Sequence, residues 1–265
     1  MMWKELIYIS ILSIMIAYVE IKFFPEASFL KNLTTVYSLL GFVISLLLVF
    51  RTNTAYDRWW EGRKAWGSIV NDSRSLSAKL SALKLEKEVK HKFSSLIILY
   101  AFSVKNHLRN KLIQDDADYT IDLSRSHLTG HQPLRVQQEL RAAIEEIRNN
   151  NQMSPECWLA TQRDLDGLVA SLGICERIKN TPIPFSYSLF IKKFIFIYVV
   201  TMPLAFVPLF GYLSAFISTF VFYALVSMEL LAEEIEDPFG GDENDLPTDQ
   251  ICLTIQNNSQ QIFGA

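Results

Sequence analysis

Two histidines, His127 and His131, stand four residues apart, a spacing that on a helix would turn both imidazoles to one face for a metal. Gly130 and Pro133 argue against helix there, and no third ligand follows at a fixed spacing, so the pair reads as surface loop. The acidic stretch EDPFGGDENDLP, Glu236 to Pro247, offers Asp237, Asp242 and Asp245 to a hard cation. It lacks the D-x-[DN]-x-[DN]-G spacing of an EF-hand loop, and spacing alone favours a solvated turn. Serine and histidine occur without a G-x-S-x-G elbow, and neither glycine-rich phosphate-binding pattern is present. Cys157, Cys175 and Cys252 form no close pair in sequence, so neither a disulfide nor a zinc site is indicated. Reactive residues are therefore present without a catalytic arrangement. Neither an enzyme, a metal nor a cofactor is expected.

The distribution of charge is more informative. Half of the 265 residues are apolar, and these crowd into the first fifty positions and into Phe194 to Met228, which holds no charged residue or histidine. A helix crossing a hydrocarbon layer of about 30 Å needs roughly 20 such residues. Leu6 to Phe24 and Leu33 to Phe50 each suffice for one crossing. Phe194 to Met228 reads as a helical hairpin once Phe185 to Ile191 and Leu230 to Ala232 lengthen it, with Pro208 and Gly211 at its turn. Glu20 lies where a signal peptide would need small residues, so the first span reads as a retained anchor.

Basic residues set the expected orientation. Arg51, Arg58, Arg63 and Lys64 follow the second span and Lys192 and Lys193 precede the third, whereas the turn between the last two spans is uncharged. The long middle segment and both termini are then cytoplasmic. A net charge of −3 gives no reason to expect nucleic-acid binding. The middle segment reads as helix: Leu76, Leu80 and Leu83, then Phe93, Ile97 and Tyr100, then Val136, Leu140, Ile144 and Ile147 recur at helical spacing. The hydrophilic stretch Asn110 to Pro133 reads as a loop.

Within the second span, Thr34, Ser38, Gly41 and Ser45 form a small-residue stripe that would let neighbouring helices approach closely. Beside it run Leu39, Phe42, Leu46 and Phe50. Spacing leaves two readings open, a lipid-facing or packing surface and a ring of apolar side chains about a symmetry axis, of the kind that gates by dewetting. In ERIKNTPIPFSYSLF, Glu176 to Phe190, Pro182 and Pro184 preclude regular helix around Ile183. That segment is either a plain linker or a bend that points Ile183 into a cavity.

Three pieces together resemble the bestrophin family in its bacterial branch: VFRTNTAYDRWWEGRKAWG with its Arg58, Trp59 and Trp60, TPIPFSY at Thr181 to Tyr187, and IEDPFGGDEND at Ile235 to Asp245. They occur in the family's order, and the resemblance covers nearly the whole chain. It implies an all-α fold of four transmembrane helices plus a helical cytosolic region, assembling as a homopentamer in the inner membrane around one axial pore. Its partners would be its own copies, membrane lipid and permeant monovalent ions. The implied organisation is residues 1–55 for the first two spans and pore neck, 56–185 for the cytosolic region, 186–235 for the hairpin, and 236–265 for the acidic turn and C-terminal segment. The resemblance places the neck at Phe42, Leu46 and Phe50 and a cytosolic aperture at Ile183, and makes Arg58, Trp59 and Trp60 a structural motif.

Animal members carry phenylalanine at the middle neck position, and aromatic ring edges are electropositive. Leu46 removes that part of an anion preference, and bacterial members are described as passing cations. Cation conduction is therefore the first expectation and chloride conduction the alternative. Asp237 and Gly241 stand where animal members have Asn and Glu, which weakens the case for calcium binding at the acidic turn. A transporter would need a mid-span acid or lysine relay or a pair of similarly broken helices in two halves, and neither is evident.

Overall fold

The computed structural model describes residues 3–24, 33–111 and 130–264, all of whose regular elements are helices. In chain order they are α1 (Trp3–Phe23), α2 (Leu33–Ser81), α3 (Lys87–Leu108), α4 (Gln132–Asn149), α5 (Pro155–Asn180), α6 (Phe185–Thr201), α7 (Pro203–Phe210), α8 (Leu213–Glu236) and α9 (Thr248–Phe263). His127 lies outside the described residues. The chain divides into two compact units, Met1–Asp57 with Pro182–Glu236, and Arg58–Thr181 with Asp237–Ala265. Helix α2 gives its first half to one unit and its second half to the other.

The first unit holds four helices long and apolar enough to cross a membrane: Trp3–Phe23, the start of Leu33–Ser81, Phe185–Phe210 and Leu213–Glu236. The expected hairpin is present, but its turn is tighter than the sequence suggests. Pro208 lies inside α7, and the break falls at Gly211, whose φ of 55° is readily adopted only without a side chain. Pro203, which lacks a backbone donor, opens α7 after α6 ends at Thr201. Lipid tails are as apolar as leucine, so close packing must hold these helices together. Ile9, Ile44, Leu48, Ile195, Val199, Ala205 and Phe222 form that packed seam. Gly41 permits its tightest point: a β-carbon there would stand 2.8 Å from Tyr198 Oη. The same hydroxyl donates to the Tyr37 carbonyl at 3.3 Å.

The second unit is organised around α3, whose residues from Phe93 to Asn106 are buried without interruption. A helix apolar on every side must be enclosed by neighbours. Those neighbours include α4, α5 and α9. Helix α4 turns Val136, Leu140, Ile144 and Ile147 inward, each at the spacing of one helical face. Burying such side chains contributes about 1.5–3 kcal/mol apiece. Polar groups inside α3 find partners: Tyr100 Oη donates to the Leu168 carbonyl at 2.8 Å, and Ser94 and Ser259 share a hydrogen bond of 3.1 Å. Cys157, Cys175 and Cys252 are in no disulfide. Burial pushes the Cys175 thiol up to about 12, which makes it a packing residue rather than a nucleophile.

Candidate functional site

The first half of α2 has two contrasting faces. Tyr37, Ile44, Leu48 and Arg51 are buried, while Phe42, Leu46 and Phe50 are 67%, 44% and 56% exposed. Residues four apart stack along one side of a helix. The exposed stripe, which includes Leu39, is thus continuous and apolar and lies open along the helix. The small-residue stripe beside it has a mixed fate. Gly41 faces Tyr198 and Thr34 donates to the Ala205 carbonyl at 3.2 Å, but Ser38 and Ser45 return their hydroxyls to their own helix.

Immediately after Phe50, Arg51 departs from its expected place. Its position after an apolar span suggests an interfacial charge; the structure buries it to 1% exposure. Its Nη2 donates to Glu236 Oε2 at 2.6 Å, and its Nε lies 3.7 Å from Glu229 Oε2. A guanidinium cannot shed its proton, so burial demands an anion, and the end of α8 supplies two. Glu236 also acts through its other oxygen, Oε1, which accepts the Ile183 backbone N–H at 2.7 Å. One carboxylate therefore joins the residue after Phe50 to the bend holding Ile183. Pro182 and Pro184 keep that bend out of helix, as expected, and Ile183 is half-buried. Further along, Lys192 pairs with Glu233 at 2.7 Å on the exposed surface.

In the second unit, Arg58 acts as a helix cap. Its two terminal nitrogens donate to the Thr181 and Ile178 carbonyls, each at 2.6 Å, closing the C-terminal end of α5. Trp59 Nε1 donates to the Asn244 carbonyl at 3.0 Å, and its ring stacks on Trp60 at 6.4 Å. The acidic turn is anchored by Phe239, whose ring packs against Gly62, and by the Leu246 N–H bonded to the Pro238 carbonyl at 2.9 Å. Within the turn, Asp245 Oδ2 accepts the Asp242 N–H at 2.7 Å and Asp237 Oδ1 faces the Phe239 N–H at 3.5 Å. Burial raises the Asp245 carboxyl above its usual range.

Among the described residues, the metal-type side chains that converge are His107, His131 and Glu176, with one ligand atom of each within 4.8 Å of the others. Spacing pairs His131 with His127; its structural neighbour is His107, with ring centroids 4.3 Å apart. Sequence reasoning misses His107 and Glu176 because 24 and 45 residues separate them from His131 in the chain, beyond any local spacing rule.

Four helices long and apolar enough to cross a membrane, with apolar side chains exposed along them, define a multi-pass membrane protein. The chain belongs to the bacterial/fungal bestrophin family, which matches residues 1–261. It is 37% identical over 225 residues to a voltage-dependent anion channel-forming protein of Nostoc sp., covering 82% of this chain and 73% of that one. It is 34% identical over 223 residues to a protein of the same description from Escherichia coli K12, covering 83% and 73%. A crystal structure of a bacterial bestrophin homologue from Klebsiella pneumoniae matches with a TM-score of 0.89 at 28% identity, covering 100% of this chain and 99% of that one. The family is channel-forming and not enzymatic, in keeping with the lack of a catalytic arrangement in the sequence.

Proposed function

We propose that this chain assembles as a homopentamer around one axial pore and passes small monovalent anions passively across the inner membrane, with both termini cytoplasmic. Phe42, Leu46 and Phe50 form a hydrophobic neck, and Ile183 forms a separate cytosolic aperture. The observation that carries this reading is the exposed stripe on α2, lying away from the face that packs inside its own unit. Copies arranged about an axis would bring those stripes together as stacked apolar rings.

The cation preference first drawn from Leu46 gives way to the anion reading. The relatives are described as anion channel-forming. Two of the three neck positions, Phe42 and Phe50, are aromatic, so the electropositive ring edges lost at Leu46 remain above and below it. Trimming the middle ring tests the neck. Leu46→Ala should leave a homopentamer by native mass measurement in detergent and raise chloride flux from liposomes severalfold. Unchanged flux through an intact pentamer would remove Leu46 from the neck, and a monomer would remove the pore.

A further inference from the structure

We propose that His107, His131 and Glu176 bind one divalent cation of the borderline-soft class, zinc being the best fit. His107 sits in the last turn of α3, His131 caps the N-terminus of α4, and Glu176 lies near the C-terminal end of α5. Both imidazoles aim Nε2 at the same carboxylate oxygen, Glu176 Oε1, at 2.8 Å and 2.6 Å. Imidazoles from two different helix ends thus converge on one carboxylate oxygen, where a simple hydrogen-bonded pair would need only one histidine.

Two imidazoles and a carboxylate are a donor set that suits zinc. Metal–ligand bonds of about 2.0–2.2 Å in tetrahedral geometry put ligands roughly 3.3–3.6 Å apart, so the hydrogen-bonded pairs must open by about 0.5–1 Å. The side chains are 30%, 33% and 27% exposed, in the order His107, His131, Glu176, leaving a solvent side for a fourth ligand such as water.

Proton placement is consistent with binding. A carboxylate only accepts, so each Nε2 now carries hydrogen, and the His131 Nδ1 lone pair accepts the Leu134 N–H at 3.4 Å. Metal binding moves each ring's proton from Nε2 to Nδ1, with none lost, and gives up only that long cap bond. Lys179, bonded to the His107 carbonyl at 2.8 Å and to Asn110 Oδ1 at 2.6 Å, works against the added charge.

The test uses the full chain in detergent, stripped with a chelator and titrated with zinc chloride. The expected result is one zinc per chain, a higher unfolding temperature with zinc, and an X-ray absorption edge spectrum with scattering from two imidazoles and no sulfur. Glu176→Gln keeps the side-chain shape and removes the anionic ligand, and His107→Gln removes one imidazole. Each should weaken binding by at least the ~10–100-fold that loss of an outer-shell partner costs a metal site. His91→Gln should bind as the parent does. Sulfur scattering, no saturation near one zinc per chain, or equal affinity in the parent and both site variants would overturn the proposal in favour of a metal-free His–Glu–His hydrogen bond. A variant that fails to fold is set aside by circular dichroism, and the absorption spectrum of the parent then decides.

Discussion

Glu236 is the residue on which most depends. It neutralises Arg51 through one oxygen and holds the Ile183 backbone through the other. Removing one member of a fully isolated buried ion pair costs about 3–5 kcal/mol; with Glu229 still 3.7 Å from Arg51 Nε, loss of Glu236 should cost less than that. Glu236→Gln keeps an oxygen for Ile183 but not the charge for Arg51. It should lower the unfolding temperature in detergent and change conductance, whereas Glu233→Gln, on the exposed pair with Lys192, should do neither. Equal effects from the two would show that Glu236 has no special role. No spacing rule could have found this network. Arg51 and Glu236 are 185 residues apart, and beside an apolar span an arginine reads naturally as a headgroup anchor.

Among the elements, α9 shows how charge fixes a helix in place. Asp249, in its first turn, accepts from Lys105 at 2.9 Å and from two Arg109 nitrogens at 3.0 Å and 2.9 Å. Burial alone would raise this carboxyl; the Arg109 and Lys105 contacts outweigh that and hold it below its usual range. A depressed carboxyl stabilises the fold above its unfolded value and loses that contribution as pH falls through the folded value. Asp249→Asn should therefore cost about 1–2 kcal/mol near neutral pH, allowing for partial exposure. The gap between parent and variant should be full above the unfolded carboxyl value of about 3.9 and narrow as pH falls below it through the depressed folded value. A gap independent of pH, read from unfolding midpoints, would contradict the ion-pair account.

Helices themselves are legible where the sequence is unambiguous. Long apolar runs mark the four spans, and the spacing of Val136, Leu140, Ile144 and Ile147 marks the buried face of α4. Boundaries set by prolines are less so. Pro133 lies in the first turn of α4, where a missing donor does no harm, although its surroundings read as loop. Pro208 sits inside α7, although beside Gly211 it reads as part of a turn. The His107, His131 and Glu176 cluster is invisible in the sequence because three separate helices must fold before it exists.

At the scale of the whole molecule, the decisive feature is a surface that one chain leaves unsatisfied. Phe42, Leu46 and Phe50 are visible as a stripe from spacing alone, but lipid and a symmetry axis make the same demand of a sequence: apolar side chains pointing away from the chain's own core. Family membership and the open face together favour the axis. The most direct measurement is the reversal potential of purified protein in a planar bilayer under asymmetric sodium chloride. The proposal predicts a current that reverses near the chloride equilibrium potential. Reversal near the sodium potential, or no current from an assembled oligomer, would contradict it.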